Sequence, residues 1–163
     1  MAQYAEAIEI TRAHGVKVLV EMHGGTIHPS ASLAHRLVSN FDSAHIGVIY
    51  DPQNMVRDGF ETIPLAIDLL GDYLAHVHIG AHEPLRGELD ESGQRQWVWR
   101  RTAMSEGLFD IPQMMARLQA AGYSGFMSLE DLGGPDARGA ITPAQKAAEG
   151  IVYLKNVAGM PKL

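Results

Sequence analysis

The chain contains no cysteine, no excess of basic residues and no long apolar run. Without cysteine there is no disulfide and no thiolate, so any metal ion would need oxygen and nitrogen ligands. The net charge is −6, from 19 acidic and 13 basic residues, which argues against nucleic acid as a partner because nucleic acid favours a basic surface. No run of about 18 apolar residues is present and residues 1–6 do not read as a signal peptide, so we expect no membrane partner and a cytoplasmic location.

Four strand-like segments each end in a residue that can bind a divalent metal ion. They are residues 16–21, 46–51, 74–78 and 125–130, and their last residues are Glu21, Asp51, His78 and Glu130. Side chains alternate between the two faces of a strand, so end residues on one face would converge at the edge of a sheet. In α/β sheets and barrels the carboxyl edge is where ligands bind. One such ending is ordinary, but four in succession predict a site.

Helix-like segments alternate with these strands. Apolar spacing and caps predict helices over residues 2–14, from Pro29-Ser30 to Phe41, from Ile63 to Leu70, between Asp110 and Gly122, and from Thr142-Pro143 to Lys155. Glu21 and Asp51 are 30 positions apart, and Asp51 and His78 are 27 positions apart. These intervals are the lengths of repeating βα units. We therefore expect one α/β domain over residues 1–163, with four parallel strands and about five helices.

Four parallel strands leave two open edges, whereas a (β/α)₈ barrel needs eight strands and about 250 residues. Two architectures remain open at this point. The chain is either a small open α/β sheet or the C-terminal half of a barrel. In the second case the other strands come from a partner copy or are absent from this chain.

The interval between the last two strand ends is 52 positions, because residues 81–107 form an inserted segment without clear periodicity. We expect this segment to be a long active-site loop. Arg86 is the residue in it that we favour for holding a phosphate or carboxylate group of a substrate, because it lies closest in sequence to His78. The alternatives are that Trp97 and Trp99 line a sugar pocket or an interface, or that the loop is simply solvated.

The chemistry of the four strand-end residues suits a hard or borderline cation. Three carboxylates and one imidazole can bind Mn²⁺, Mg²⁺, Co²⁺ or Zn²⁺. Such an ion can polarise a carbonyl and hydroxyl pair and stabilise an enediolate, while a neighbouring carboxylate moves a proton. The plainer alternative is that each residue caps a helix or faces water.

Three further residues follow or precede these positions. His76 lies two residues before His78, where it is either a second-shell partner of the metal site or a satisfied core histidine. His23 precedes two glycines and either contacts substrate or belongs to an ordinary turn. Asn54 either donates to a substrate oxygen or caps a turn or helix.

Four motifs together resemble the sugar phosphate isomerase/epimerase family of the xylose-isomerase-like TIM-barrel superfamily. They are Val20-Glu21-Met22-His23-Gly24-Gly25, Tyr50-Asp51-Pro52-Gln53-Asn54, His76-Val77-His78-Ile79 and residues 122–131. The resemblance covers only the C-terminal half of that family, strands five to eight of the barrel. It implies that Glu21, Asp51, His78 and Glu130 hold one divalent metal ion. It further implies that Glu21 and Glu130 are the catalytic acid/base pair, and that His23 and Arg86 contact substrate.

The resemblance also separates the possible functions. The apurinic-endonuclease branch carries histidine where this chain has Asn54, which together with the acidic charge argues against DNA repair. We therefore expect isomerisation or epimerisation of a sugar, sugar phosphate or related polyol. The alternatives are a dehydratase of the same superfamily, or a truncated or dimerising half-barrel without activity on its own. A homodimer that completes the barrel is the corresponding partner prediction.

Overall fold

The computed structural model describes residues 1–58, 61–130 and 136–159 of the chain. Its helices are α1 (Ala2–Arg12), α2 (Ala31–Val38), α3 (Pro52–Asp58), α4 (Ile63–Leu70), α5 (Ile111–Ala120) and α6 (Pro143–Val157), and a 3₁₀ turn covers Gly71–Tyr73. Its strands are β1 (Val18–Glu21), β2 (Ile46–Tyr50), β3 (Leu74–Ile79), β4 (His82–Leu89), β5 (Arg95–Arg101) and β6 (Met127–Leu129). Gly133-Gly134-Pro135, a sequence that predicts an interruption of regular secondary structure, lies outside the described residues.

The four predicted strands form one sheet in the order β1-β2-β3-β6. β1 pairs in parallel with β2, Val18 lying opposite Ile46, and β2 pairs in parallel with β3, Tyr50 lying opposite Val77. This parallel sheet, with its alternating helices, confirms the predicted fold class of a partial TIM barrel. Because all four strands run in the same direction, their carboxyl ends lie along one edge of the sheet.

Alternation along the strands explains which residues form the core. Val48, Tyr50 and Val77 are completely buried, whereas Leu19, on the other face of β1, is 39% exposed. Helices α2 and α4 contribute buried apolar residues at three- and four-residue spacing, as an amphipathic helix packed on a sheet should. These residues are Ala34, Leu37, Val38, Ala66, Ile67 and Leu70.

Side-chain caps fix the starts of helices α2 and α5. At α2 the Ser30 hydroxyl accepts from the Leu33 N–H at 3.4 Å, and the Glu61 carboxylate accepts from the Ser32 N–H at 2.9 and 3.2 Å. The Asp110 carboxylate caps α5, as predicted, by accepting from the Gln113 N–H at 2.9 Å. Each cap satisfies an N–H group that has no partner within its own helix.

The chain divides into two compact units. The first comprises Met1–Ile79 and Ala116–Ser128, and the second comprises Gly80–Met115 together with the chain from Leu129 onward. The single-domain organisation expected over residues 1–163 therefore stays a prediction. No helix among the described residues is long and apolar enough to cross a membrane.

The largest difference from the sequence prediction concerns residues 81–107, which are not a structureless loop. Strands β4 and β5 pair antiparallel within the second unit, with Arg86 opposite Trp97. The turn between them is built by Asp90, whose Oδ1 accepts from the N–H groups of Ser92 and Gln94 at 2.9 Å, and by Gly93 at φ +81°. Polar residues occupy much of both strands, which hides the period of two, because a two-stranded ribbon has little apolar surface to bury.

Candidate metal centre

Asp51 occupies a buried position between β2 and α3. Its side chain is 1% exposed. Its Oδ1 accepts from the N–H groups of Gln53 at 2.9 Å and Asn54 at 3.2 Å, so Asp51 caps the helix that begins at Pro52. Its Oδ2 accepts from the Asn54 side-chain amide at 2.6 Å. Asp51 was predicted as a strand-end ligand, and the structure shows that it is also the start of a helix.

Glu21 and His78 come from the neighbouring strands β1 and β3 and meet Asp51 in the first unit. The His78 Nδ1 lies 3.3 Å from Glu21 Oε1 and 3.8 Å from Asp51 Oδ2. One ligand atom from each of the three residues lies within 4.8 Å of the others. Ligands that share one ion at ~2.1 Å lie roughly 3–4 Å apart, so this donor set fits a single divalent cation. The carboxylate-rich set favours Mg²⁺ or Mn²⁺, and the imidazole also admits Co²⁺ or Zn²⁺.

Burial gradually decreases across the three residues. The Asp51 side chain is 1% exposed, that of His78 is 18% exposed and that of Glu21 is 34% exposed. Asp51 is therefore the most buried member of the group and Glu21 the most exposed.

His76 lies one layer below His78 and contacts it directly. The two rings are 5.4 Å apart and perpendicular, and the His76 Nε2 lies 2.8 Å from the Ser128 hydroxyl on β6. Burial, and then the charge of His78, lower the pKa of His76. The sequence left open whether His76 supports the metal site or is a satisfied core histidine, and it did not predict the contact with Ser128. The alternation of side chains along a strand could have predicted this contact. Ser128 lies two positions before Glu130, just as His76 lies two positions before His78, so both side chains are on the same face of the sheet.

Tyr50 lies next to Asp51 on the opposite face of β2 and is completely buried. Burial, and then the negative charges of Glu61 and Asp51, raise the pKa of the Tyr50 phenol above its usual range. The phenol is therefore neutral at physiological pH and does not serve as a base. Its place is in the packing behind the site.

Two of the predicted substrate-contacting residues have partners close by in the chain. The exposed His23 ring holds its Nδ1 2.7 Å from the Gly24 carbonyl oxygen in the turn after β1. The Asn54 amide donates to Asp51, a contact that the sequence prediction of a substrate-binding Asn54 did not include. The substrate roles of both residues stay predictions.

The remaining predicted site residues belong to the second unit. Glu130 directly follows β6, and its backbone carbonyl accepts from the Arg101 guanidinium at 3.2 Å. Arg86 is exposed on β4, opposite Trp97. The roles of Glu130 as ligand and catalyst, and of Arg86 as substrate contact, therefore stay predictions.

The chain belongs to the xylose isomerase-like TIM barrel family, whose family model matches residues 1–157. Among curated proteins, an inosose dehydratase from Geobacillus kaustophilus (strain HTA426) is 25% identical over 151 residues, which are 88% of this chain and 48% of that protein. The match to the family model confirms the resemblance that the sequence motifs indicated.

Solved structures show the same fold. The 3-keto-D-glucoside 4-epimerase from E. coli has a TM-score of 0.69 and 20% identity, over 94% of this chain and 51% of that one. A xylose isomerase-like TIM barrel protein from Mycobacterium smegmatis in complex with magnesium has a TM-score of 0.68 and 18% identity, over 94% of this chain and 47% of that one. The chain thus spans about half the length of the relatives it matches.

Proposed function

We propose that this chain carries the metal and acid/base residues of a divalent-metal-dependent isomerase or epimerase acting on a sugar or sugar phosphate. The observation that carries this proposal is the cluster of Glu21, Asp51 and His78 at the carboxyl edge of the parallel sheet. A bound Mn²⁺, Mg²⁺, Co²⁺ or Zn²⁺ would supply positive charge that stabilises the negative charge developing on the sugar oxygens. The structural similarity to the 3-keto-D-glucoside 4-epimerase supports a sugar as substrate. The similarity to the Mycobacterium smegmatis protein in complex with magnesium supports a metal ion.

Glu130 is the fourth ligand in this proposal. It directly follows β6, which neighbours β3 in the sheet, and the carboxyl ends of parallel strands lie along one edge. Glu21 and Glu130 flank the other two ligands in strand order, so we assign them as the acid/base pair. One carboxylate removes the proton from the carbon next to the substrate carbonyl, and the other returns a proton, on the opposite face for an epimerisation. His23 and Arg86 orient the substrate in this assignment.

The ligand assignment is tested with Glu130→Gln, which keeps the size of the side chain but removes its charge. We expect this variant to weaken Mn²⁺ binding, measured by calorimetry, and to abolish turnover of any sugar that the wild-type protein converts. His35→Gln is the control, because His35 packs its ring edge against Tyr73 and has no part in the proposed site. Equal Mn²⁺ affinity in the wild-type and Glu130→Gln proteins would contradict the assignment of Glu130 as a metal ligand.

We further propose that the working form is a homodimer in which a second copy supplies the other strands of the barrel. Phe126 is 85% exposed and Leu19 is 39% exposed, although both lie on the face of the sheet that carries the site. β1 and β6 are the two ends of the four-stranded order. A second copy related by a twofold axis along the barrel keeps all strands parallel, so that β6 of each copy can meet β1 of the other.

Native mass spectrometry with and without Mn²⁺ tests the dimer. A dimer that carries metal supports an assembled barrel, and sugars and sugar phosphates are then screened as substrates. A metal-free monomer supports the alternative, a half-barrel without activity on its own. Cytoplasmic location remains a prediction in either case.

A dehydratase is the second candidate reaction, and the similarity to an inosose dehydratase favours it. Both reactions begin when a carboxylate removes a proton next to a carbonyl, and they differ in whether a hydroxyl group then leaves. Loss of water from an inosose-like substrate, followed by mass spectrometry, would identify the dehydratase. Conversion without change of mass would identify the isomerase or epimerase.

A further inference from the structure

We propose that Asn54 is a positioning residue that sets the orientation of the Asp51 carboxylate for metal binding. The inference rests on the proposed function, since it concerns the same site. It assigns to Asn54 a role exerted through Asp51, in place of the direct substrate contact that the sequence suggested.

The hydrogen bond that carries this proposal joins the two side chains directly. The Asn54 Nδ2 lies 2.6 Å from Asp51 Oδ2. An ionised carboxylate can only accept hydrogen bonds, so the amide must present its nitrogen. Hydrogen bonds to a charged group are shorter and stronger than neutral ones, and this one forms where the Asp51 side chain is only 1% exposed to competing water.

Hydrogen bonds from α3 hold both oxygens of the Asp51 carboxylate and so restrict its orientation. Two backbone N–H groups, from Gln53 and Asn54, occupy Oδ1, and the Asn54 amide occupies one side of Oδ2. Oδ2 is also the oxygen that lies 3.8 Å from the His78 Nδ1. Asp51 is thus prepared to bind a cation through one oxygen that already faces the other ligands.

A positioning role makes a prediction that a substrate contact does not. If Asn54 acts through Asp51, its loss weakens metal binding when no sugar is present. If Asn54 contacts only the substrate, the affinity for metal without sugar is unchanged and only the KM rises. A purely structural role would lower stability without changing the metal affinity of the folded protein.

The experiment uses Asn54→Leu, which is close to asparagine in shape but cannot donate, and Asn54→Ala as a second variant. The Mn²⁺ dissociation constant of the 163-residue chain is measured by calorimetry without sugar, alongside the thermal unfolding midpoint. We expect Mn²⁺ binding to be weaker by about 10-fold to 100-fold in both variants, as for other residues that support metal ligands. Unchanged affinity in the folded Asn54→Leu protein would overturn the proposal.

Asn40→Ala is the matched control. The Asn40 amide also donates two hydrogen bonds, to the carbonyl oxygens of Arg36 at 2.8 Å and Leu37 at 3.0 Å, but at the end of α2. We expect this variant to lose stability and keep its Mn²⁺ affinity. A similar loss of affinity in Asn40→Ala would show that any weakening of the fold has this effect, and would count against a specific role of Asn54.

A second measurement separates this proposal from the proposed function. In the metal-free wild-type protein, the Asn54 side-chain amide protons are followed by nuclear magnetic resonance. A slowly exchanging, downfield amide proton supports the hydrogen bond to Asp51 even if the chain binds no Mn²⁺, in which case only the proposed function falls. A rapidly exchanging amide with an ordinary shift overturns the positioning role whatever the metal affinity.

Discussion

The two compact units of this chain are stabilised by different interactions. The first unit contains most of the buried apolar side chains, from Ile8 on α1 to Leu118 on α5. In the second unit the buried apolar residues among those described are Ala81, Ile111, Met114 and Met115. Ion pairs occur in both units, but Arg138 with Asp136 at 2.7 Å in the second unit is far less exposed than Arg12 with Glu9 in the first. Arg100 with Glu83 at 2.8 Å is a further ion pair of the second unit.

The difference matters because three of the proposed metal ligands lie in the first unit, which has the larger apolar core. Metal ligands must stay within a fraction of an ångström of their working positions, and strands packed on a buried core provide that rigidity. The second unit carries the exposed Arg86 on a two-stranded ribbon. A ribbon with little core opens more easily, which is compatible with the proposed role of Arg86 as a substrate contact.

The largest expected effect comes from removing core volume in the first unit. Leu70→Ala in α4 empties a completely buried position, and we expect it to lower the free energy of unfolding by about 3 kcal/mol. Leu65→Ala on the same helix is the control, because Leu65 is 55% exposed and its loss should change stability by less than about 0.5 kcal/mol. Urea unfolding followed by circular dichroism measures both. Similar losses in the two variants would contradict a core centred on α4.

The second unit is best tested at Asp136, whose side chain is 3% exposed. Its carboxylate accepts from the Arg138 guanidinium through both oxygens, at 2.8 and 2.7 Å, and lies 3.2 Å from the Lys146 ammonium. We expect Asp136→Asn to destabilise the second unit by about 2 kcal/mol, because it removes the charge from these hydrogen bonds. Hydrogen exchange of the α6 amides reports the loss locally. The exposed Glu106→Gln in the same unit is the control and should leave exchange unchanged.

The ion pair of Asp136 and Arg138 predicts that the stability of the second unit depends on pH. Hydrogen bonds from Arg138 hold the pKa of the Asp136 carboxyl well below its usual range. A carboxyl whose pKa is lower in the folded state stabilises the fold fully above its unfolded pKa of about 3.9, and this contribution is lost as the pH falls towards the folded value. The difference in α6 protection between wild type and Asp136→Asn should therefore be largest at pH 6 and shrink below about pH 4. A constant difference down to pH 2 would rule out the charge as its cause.

The parts of the fold that the sequence predicts are those with a local signal. The four parallel strands begin within two residues of the predicted starts, since each is a short apolar run. Helix α4 has its predicted bounds, Ile63 to Leu70, with Pro64 in its first turn. The meeting of Glu21, Asp51 and His78 follows from the period of two and the parallel order, which are both readable from the chain.

Other features were missed for identifiable reasons. Helix α3 was not predicted, although Asp51 followed by Pro52 is a cap followed by a residue suited to the first turn; the helix has only seven residues and little periodicity. The hairpin of β4 and β5 was read as a loop because its strands are largely polar. The contact between Asn54 and Asp51 depends on a rotamer, and that between Glu61 and Ser32 depends on tertiary structure, so neither could be read from residue types alone.

The smallest expected effect concerns the contact between Glu61 and Ser32 in the first unit. Glu61 accepts from the Ser32 N–H through both carboxylate oxygens and so caps α2 from a distant part of the chain. We expect Glu61→Ala to lower stability by about 1 kcal/mol, since the N–H loses its charged partner but remains exposed to water. Glu6→Ala on the exposed face of α1 should change stability by less than about 0.5 kcal/mol, because Glu6 is an exposed surface residue. If Glu61→Ala cost as much as Leu70→Ala, capping and not apolar burial would dominate the first unit, and the contrast between the two units would fail.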